Sequence, residues 1–507
     1  MKRIRHLFQS TFIVIFLFAL GKVVGLVRLR AISRVFGTSP DYDAFTAANQ
    51  LPELFVTLIA GGALAAAFIP VYSQYLTDKK QKEALRLANS TLTLVIAVLG
   101  TISALGAIFA PWLTSTILVN GYPPEQQALT ASLMRIILIQ TTLFGISGVL
   151  SSFLNAHQHF TLPALAPLAL DIGYFVGIYA FAPILGIHGL AWGTVVGGLV
   201  HIGIQLPALR RYPFQYRPQI DWQLAGVREI IQLMGPRIIT LGTVQFADLF
   251  IIRLLSNLPP GSTSAYFYAY ALEQLPETLF GTAIAIVIFP TMAEMYNAGD
   301  TEGLKQTAVT ALDIIWRLTI PAAAGIILLG QPAITLFLED GAFTATSTRL
   351  VYTTLVFFSL RIVSEATLEI VARLFYAQHN TVIPMAVSLV WLTTNIICAY
   401  LFVDNYGIAG VAFASTLAFT LQSAILFVLN SRRLGGLNEA KLIRNVGKTL
   451  FCTLSMCMVI LGLGQIMAPG TLYLLLGVAL GGTTYLLLSL WLSWAEYRQF
   501  WQFLRQR

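Results

Sequence analysis

Apolar stretches of about twenty residues recur along the chain from Thr11 to Trp494 and are separated by short polar breaks. Each stretch is long enough to cross the hydrocarbon core of a bilayer, about 30 Å thick, as a helix. The apolar positions do not alternate with a period of two and hairpin-turn signals are few, which favours helices over the strands of a membrane barrel. Counting the apolar runs predicts about fourteen transmembrane helices.

Composition agrees with a polytopic membrane protein. Of the 507 residues, 56% are hydrophobic and 11% are charged, whereas about a quarter of the residues in a soluble domain are charged. Motifs of soluble enzymes (HExxH, a Walker loop, GxSxG) are absent from the sequence, and the cysteines lie in apolar runs without metal-binding spacing. We therefore expect a protein that is not an enzyme and that needs no cofactor or metal.

Basic residues alternate from one connection to the next, which indicates the topology. One set of connections holds the basic residues Lys79, Lys80, Lys82, Arg210, Arg211, Arg217, Lys305, Arg432, Arg433, Lys441 and Arg444. The other set holds the acidic residues Asp41, Glu125, Glu339, Asp340 and Asp404. By the positive-inside rule, the number of spans is even and both termini are cytoplasmic. The formal net charge is +8. The basic residues lie at the ends of the spans and not in one stripe, so no nucleic-acid partner is expected.

The sequence contains an internal repeat. A shift of 221 positions superposes Ala156 on Ala377, Pro163 on Pro384, Tyr179 on Tyr400, Gly186 on Gly407, Gly189 on Gly410, Ala191 on Ala412 and Arg211 on Arg432. The tetrapeptide Gln-Leu-Pro-Glu at residues 50–53 returns at 274–277. About six spans fit in one period, so the halves are predicted to be parallel repeats with a cavity between them that permits alternating access.

This repeat divides the chain into three predicted parts. They are an N-terminal six-helix lobe (1–220), a second six-helix lobe (221–437), and two further helices with a tail (438–507). Pro52 and Pro276 occupy the repeated tetrapeptide, and a proline inside a helix removes a backbone hydrogen bond. We therefore expect matched bends at Pro52 and Pro276, which are hinge candidates.

Several ionisable residues fall inside apolar runs, where a charge normally faces a bundle interior or a wet cavity. Lys22 and Arg28 lie in the first span, and Gly21 and Gly25 would let that helix bend so that both cations approach one cavity. The remaining intramembrane charges form two groups. Those without a partner nearby in sequence, which either line the cavity or pair with another helix, are Asp171, Arg237 and Asp248. Those spaced to neutralise one another within a helix are Asp313 with Arg317, Arg361 with Glu365, and Glu369 with Arg373.

Motifs along the chain resemble those of the MurJ (MviN) family of lipid II flippases, in the multidrug/oligosaccharidyl-lipid/polysaccharide (MOP) exporter superfamily. The stretches concerned are Gly25 to Arg28, Val35 to Gly37, Asp43 to Phe45, Leu51 with Pro52, Ala66 to Pro70, Leu154 to His157, Leu162 to Pro167, and Phe375 to Ala377 with Pro384. The resemblance implies fourteen helices in a V-shaped pair of lobes. It also implies a central cationic cavity for the pyrophosphate of an undecaprenyl-linked peptidoglycan precursor.

Site residues follow from the resemblance position by position. Lys22 stands where the family usually has its first cavity arginine, Arg28 matches the second, and Asp43 matches the acidic residue after the first helix. With Arg237 added, the substrate-binding candidates are Lys22, Arg28, Asp43 and Arg237, and Asp248 is a candidate ligand for a coupling cation. The sequence departs from the family where cations are usual: Val56 and Thr57 replace a basic pair, Gly61 replaces the acid that follows, and Ala271 replaces an arginine.

We expect a flippase that moves lipid II across the bacterial cytoplasmic membrane by alternating access, with a role in peptidoglycan synthesis, cell wall biogenesis and cell shape. The expected energy source is the membrane potential or a sodium gradient, and cell-wall synthesis proteins are candidate partners. Three alternatives stay open: a flippase for an O-antigen or exopolysaccharide unit, a multidrug cation antiporter, and a non-transporting scaffold of the cell-wall machinery. A basic cavity disfavours the antiporter, whereas the missing arginines keep the scaffold open as an alternative.

Overall fold

The computed structural model describes residues 20–60, 62–212 and 214–493, without the side chains at 60, 62, 236, 237, 239–241, 243 and 244. Within these ranges all regular structure is helical and no strand occurs. The predicted all-α fold class is therefore confirmed. Helix α1 covers 20–36, and the later helices follow it in the order α2 to α14.

The helices are bounded as follows: α2 Pro40–Thr77, α3 Gln81–Ile108, α4 Pro124–Ala156, α5 Thr161–Leu185, α6 Ile187–Leu209, α7 Ala225–Leu255, α8 Ser262–Asn297, α9 Thr301–Leu338, α10 Ala345–Ala377, α13 Glu439–Ile466 and α14 Thr471–Leu492. Helices α11 and α12 are the two parts of Val382–Leu434, which is interrupted at Gly407. A short helix, Ala110–Trp112, and the π-helical turn Leu113–Leu118 lie between α3 and α4.

Helix length and apolarity identify a multi-span membrane protein. In the described ranges, ten helices are long and apolar enough to cross a membrane, with Val382–Leu434 counted once. Helix α10 is not among these ten and carries Arg349, Arg361, Glu365, Glu369 and Arg373. The exact count of fourteen spans stays a prediction.

Spatial contacts between residues divide the chain into two compact units. The first unit runs to Ser264 and includes the turn Asp340–Phe343, and the second comprises Ala265–Glu339 and the chain from Thr344 onward. Helix α7 belongs to the first unit by its contacts, whereas the repeat in the sequence assigns it to the second lobe. The three-part division by repeats stays a prediction.

The sequence repeat recurs as backbone geometry. Gly186 has φ 58° and ψ −136°, and Gly407, 221 positions later, has φ 56° and ψ −137°. Gln158 and His379, at the same spacing, have φ values of 59° and 56°. A Cβ atom at either glycine would meet open space, so the backbone conformation and not packing requires glycine there. The two connections that precede α6 and α12 thus share one backbone conformation.

Close helix packing in the first unit depends on small residues. A Cβ atom at Gly173 of α5 would lie 2.4 Å from Gly197 N of α6, and one at Gly193 would lie 2.6 Å from Gly173 O. Gly177, one turn after Gly173, approaches the same helix. Small residues four apart allow two backbones to make many van der Waals contacts, which drive helix association in a lipid solvent.

Each unit has a core of large side chains near its basic connections. In the first unit Phe68 and Tyr72 of α2 pack with Phe153 and Leu154 of α4. In the second unit the core includes residues of α9 and α10 such as Leu312, Ile315, Val371, Leu374 and Phe375. These cores hold α2 against α4 and α9 against α10, and therefore fix the rotation of the helices that carry the ionisable residues.

The two prolines of the repeated tetrapeptide lie inside helices, and each precedes a π-helical turn. Pro52 of α2 is followed by the turn Val56–Ala60, and Pro276 of α8 by the turn Glu277–Thr282. A π-helical turn in an α-helix shifts the hydrogen-bonding register and is frequent at functional sites. Both hinge candidates thus adjoin a local irregularity, and hinge motion at Pro52 and Pro276 stays a prediction.

Candidate functional site

Arg28 of α1 lies in a group of polar side chains from three helices of the first unit. Arg28 Nη1 donates a hydrogen bond to Asp171 Oδ1 of α5 at 2.7 Å. The guanidinium carbon lies 4.8 Å from the ring centroid of Tyr174, one turn further along α5. Glu53 of α2 interacts electrostatically with both Arg28 and Tyr174. We call Arg28, Glu53, Asp171 and Tyr174 the Arg28 cluster.

Two acids surround one arginine in the Arg28 cluster. Asp171 is buried, Arg28 is half-buried and Glu53 is exposed. Lys22 lies six residues before Arg28 on α1 and is also exposed. Among the described residues Arg28 makes one hydrogen bond, although its guanidinium has five N–H donors. The free protein therefore holds Arg28 in place by Asp171 and leaves donors for a ligand.

The sequence left open whether Asp171 lines a cavity or pairs with another helix, and the structure shows that it pairs with α1. It has no partner nearby in sequence, and its partner Arg28 lies 143 positions away. The pair satisfies a buried carboxylate within the bundle, as expected for a charge inside a membrane. The residues that sequence analysis missed are Glu53 and Tyr174; the only signal for Glu53 was its place in the repeated tetrapeptide.

Asp43 anchors a connection of the first unit. Its two carboxylate oxygens accept hydrogen bonds from Gly261 N and Ser264 N, each at 2.6 Å, and the side chain is buried. Gly261 and Ser264 lie at the connection between α7 and α8. These contacts give Asp43 a structural role, and substrate binding by Asp43 stays a prediction.

A second contact joins the same region to the turn Asp340–Phe343. Ala342 N donates to Arg34 O at 2.8 Å, and the Arg34 side chain approaches Asp340 at 3.4 Å. Arg34 lies near the end of α1, and Asp43 lies in the first turn of α2. The turn between α1 and α2 is therefore held by two segments that follow it by more than 200 residues.

Two other site candidates lie on α7. The side chain of Arg237 lies outside the described residues. Asp248 is half-buried and interacts with other groups. The role of Asp248 as a cation ligand stays a prediction, as does substrate binding by Arg237.

The predicted ion pairs within helices are confirmed. Arg317 Nε lies 2.9 Å from Asp313 Oδ2 on α9, and Arg361 Nε lies 2.8 Å from Glu365 Oε2 on α10. Arg373 forms the third pair with Glu369. Each pair spans four residues, the spacing that places two side chains on one face of a helix.

Arg361 also belongs to a larger buried group in the second unit, which sequence analysis missed. Its Nη2 atom lies 3.7 Å from Glu273 Oε2 of α8, and its Nη1 atom donates to Ser415 Oγ of α12 at 3.1 Å. Glu277 follows Glu273 by one turn and interacts electrostatically with Glu365. We call Glu273, Glu277, Arg361 and Glu365 the Glu273 cluster.

Aromatic rings enclose the guanidinium of Arg361. The centroids of Tyr270, Phe358 and Phe419 lie 5.1, 5.2 and 4.5 Å from its central carbon. The negative faces of aromatic rings attract a cation at such distances. Arg361 thus interacts with both aromatic rings and carboxylates of the second unit.

A histidine lies beside the first unit's core, in the connection between α4 and α5. The ring of His157 stacks on Tyr212 with centroids 4.3 Å apart, and its Nε2 atom lies 3.2 Å from Tyr72 Oη. Burial lowers the pKa of His157. The ring is therefore neutral at physiological pH, which agrees with the structural role that its contacts indicate.

Comparison with known families decides the relationship. The family model for the lipid II flippase MurJ matches residues 32–479. The chain belongs to this family. The family is one of flippases and not a catalytic family, and the resemblance seen in the sequence is confirmed.

Curated relatives agree with this assignment. The chain is 28% identical over 429 residues to the probable lipid II flippase MurJ of Bdellovibrio bacteriovorus, which covers 84% of this chain and 82% of the relative. It is 25% identical over 431 residues to the lipid II flippase MurJ of Burkholderia cenocepacia, with 83% of each chain covered.

Solved structures show the same fold. A lipid II flippase MurJ in an inward closed conformation superposes with a TM-score of 0.83 at 22% identity, covering 95% of this chain and 99% of that one. An inward-facing multidrug resistance MATE family transporter of the MOP superfamily superposes with a TM-score of 0.69 at 15% identity, covering 82% and 96%. The MOP superfamily fold is therefore shown.

Proposed function

We propose that this protein is a lipid II flippase, which moves the undecaprenyl-pyrophosphate-linked peptidoglycan precursor across the bacterial cytoplasmic membrane by alternating access. The observation that carries the proposal is the match of the lipid II flippase family model to residues 32–479. The Arg28 cluster supplies a matching chemistry, since a guanidinium binds phosphate oxygens through two parallel hydrogen bonds. A role in peptidoglycan synthesis, and thereby in cell wall biogenesis and cell shape, follows from this substrate.

In this proposal, Asp171 and the pyrophosphate compete for Arg28. The carboxylate neutralises the arginine while the site is empty, which avoids an uncompensated charge inside the membrane. A pyrophosphate carries more negative charge than a carboxylate and offers more acceptor oxygens, so it replaces Asp171 at the guanidinium when lipid II binds. Glu53 and Asp171 also repel the phosphate, and this repulsion promotes its release on the opposite side.

Transport of labelled lipid II by the purified protein in proteoliposomes tests the proposal. We expect transport by the wild type and its loss in Arg28→Ala, with a smaller loss in Arg28→Lys because a point charge replaces the planar guanidinium. Lys22→Arg should keep activity, since the charge is kept. Arg30→Ala is the matched control, because Arg30 is an exposed arginine on the same helix.

One result would contradict the flippase proposal, and another would contradict only the role of Lys22 and Arg28 in it. Wild-type protein that is folded and inserted but moves no lipid II would favour a scaffold of the cell-wall machinery. Full transport by a Lys22→Ala, Arg28→Ala double variant would remove the phosphate-binding role of these cations. In the second case lipid II transport would stand, and another group would have to bind the pyrophosphate.

Orientation, energy source and partners complete the proposal. Both termini lie in the cytoplasm, which the alternation of basic and acidic connections supports. Transport draws on the membrane potential or an ion gradient, with Asp248 as a candidate ligand if the ion is sodium. Cell-wall synthesis proteins are the proposed partners, because they produce and consume a lipid-linked precursor on the two sides of this membrane.

A further inference from the structure

Glu273 is the most deeply buried acid of the second unit's cluster. Its side chain has no exposed surface, and within the described residues its Oε1 atom has no hydrogen-bond partner. Its Oε2 atom accepts a hydrogen bond from Gln274 Nε2 at 3.1 Å and lies 3.7 Å from the Arg361 guanidinium. An unpartnered carboxylate oxygen in a helix bundle is costly, which points to a missing ligand or proton.

The acids around Glu273 outnumber the bases. Helix α8 contributes Glu273 and Glu277, and α10 contributes Glu365 and Glu369. The bases are Arg361 and Arg373, both on α10, and Arg373 pairs with Glu369. Arg361 is thus left to balance three carboxylates.

Among the described residues, the side-chain hydrogen-bond donor of Glu277 is neutral. The hydroxyl of Thr282 donates to its two oxygens at 3.1 and 3.3 Å, and the side chain is buried. The charges that act on Glu277 are those of Glu365, Glu369 and Arg361. Repulsion by two acids exceeds attraction by one base here, so ionisation of all the acids at once is unfavourable.

Among the residues whose side chains the structure describes, the further groups that contact Arg361 are uncharged. Helix α8 adds the phenol of Tyr270, and α12 adds the hydroxyl of Ser415 and the ring of Phe419. On α9, Arg317 pairs with Asp313. Within the described part of the chain the cluster thus keeps an excess of acids, which a bound cation or a proton would balance.

A proton fits the cluster better than a metal ion. Among the described residues no group of three or more acidic, histidine or cysteine side chains is arranged to hold a metal ion. Arg361 lies between Glu273 and Glu365 and repels a metal cation at the position where the acids converge. A proton neutralises one carboxylate without a coordination shell and leaves the arginine pairs intact.

Side-chain exposure increases from Glu273 of α8 to Glu365 and Glu369 of α10. The side-chain exposure is 0% for Glu273, 16% for Glu365 and 27% for Glu369. Glu365 and Glu369 are four residues apart and lie on one face of the helix. The acids thus form a route between the buried Oε1 atom of Glu273 and more accessible positions, along which a proton can exchange.

We propose that the Glu273 cluster is a proton-binding site of the transport cycle. Glu273, Glu277 and Glu365 share one proton at neutral pH; it enters from water on one side of the membrane and leaves to water on the other. The proton carries charge across the membrane, so both the membrane potential and a pH gradient contribute to transport. This inference rests on the proposed flippase function and names its coupling ion.

The first test detects the proton without any transport assay. Full-length protein in lipid nanodiscs is examined by infrared difference spectroscopy over a pH titration, in sodium and in potassium buffer. We expect the carbonyl band of a protonated carboxylic acid at neutral pH, its loss on alkalinisation, and its loss or shift in Glu273→Gln. Glu125→Gln is the control, because Glu125 is an exposed acid at the start of α4.

The pH dependence of unfolding is an independent test, because the proposal fixes the direction in which stability changes with pH. A proton held by the folded but not by the unfolded chain makes stability fall as pH rises, and the unfolding constant changes about tenfold per pH unit in the window where the two states differ by one proton. Glu273→Gln mimics the protonated acid and should remove this slope while keeping stability at neutral pH. Glu277→Gln and Glu365→Gln repeat the test if Glu273→Gln does not fold.

The results separate the inference from the proposed function. The proton site is wrong if the carboxylic acid band is absent, if the three glutamine variants keep the wild-type pH slope, or if sodium instead of pH changes stability. If lipid II transport does not change when a pH gradient is imposed, the proton site has no role in coupling, and the flippase function stands. Absence of lipid II transport in the wild type would instead contradict the flippase function, and the coupling role with it.

Discussion

Replacing Asp171 by asparagine should strengthen the binding of lipid II. The change removes the negative charge that competes with the pyrophosphate for Arg28 and keeps the size of the side chain and an oxygen that accepts the guanidinium hydrogen bond. Tighter binding of the substrate and slower release should follow, so that transport slows although capture improves. Arg28→Ala has the opposite effect on binding.

The size of the effect follows from the geometry of the pair. Arg28 Nη1 and Asp171 Oδ1 are 2.7 Å apart, and the side chains are 31% and 8% exposed. A hydrogen bond to a charged group contributes about 1.5–3 kcal/mol, whereas an exposed ion pair contributes about 0–1 kcal/mol. Because the arginine is nearly one third exposed, we take about 1 kcal/mol, which corresponds to about a fivefold lower Kd.

The assay measures the Kd of labelled lipid II for the purified protein at two salt concentrations, together with transport rates in proteoliposomes. Asp78→Asn is the control, since Asp78 is an exposed acid near the end of α2. A double-mutant cycle then isolates the coupling: Asp171→Asn should have little effect on Kd in an Arg28→Ala background. A fivefold weaker binding by Asp171→Asn, or an unchanged effect without Arg28, would refute the competition.

Three further predictions concern the fold. Asp43→Ala removes the acceptor of two buried amides and should destabilise the protein by about 3–6 kcal/mol, because each hydrogen bond to a charged group contributes about 1.5–3 kcal/mol; thermal unfolding should show no comparable shift for the exposed Asp41→Ala. Gly407→Ala forces a positive φ and should cost about 1–3 kcal/mol, whereas Gly447→Ala, in a regular helix with open space around it, should not destabilise. Reporter fusions should be cytoplasmic at Lys80, Arg211 and Arg433 and external at Glu125 and Asp404; one reversed site would contradict the topology.

Features whose physical cause lies within one helix or one connection were predictable from the sequence. The all-α fold follows from runs of apolar residues, and the pairs Asp313–Arg317 and Arg361–Glu365 follow from helical spacing. The repeat was visible as identical residues 221 positions apart, and the structure shows why glycine recurs at Gly407. In each case the physical cause lies within one helix or one connection, so the sequence pattern records it directly.

Contacts between helices were not predictable in the same way. Arg28 and Asp171 are 143 positions apart, and Asp43 lies 218 positions from its donor Gly261. Which face of each helix meets its neighbour depends on the packing of several helices together, and hydrophobic periodicity is weak where every face is apolar. Glu273 illustrates the same limit, because its position in α8 is plain from the sequence but its place beside Arg361 is not.

The anchoring of Asp43 has a consequence for biosynthesis. The amides that Asp43 requires belong to residues 261 and 264, and at about 5–20 residues per second the ribosome adds the 218 residues up to Gly261 in about 10–40 s. During this delay six helices, α2 to α7, are made while the carboxylate lacks its native donors. The turn at Asp340–Phe343 is made later still. The first unit is therefore complete only after segments from the middle of the chain have been made. A ribosome that stalls before residue 261 leaves a nascent chain whose first connection cannot close.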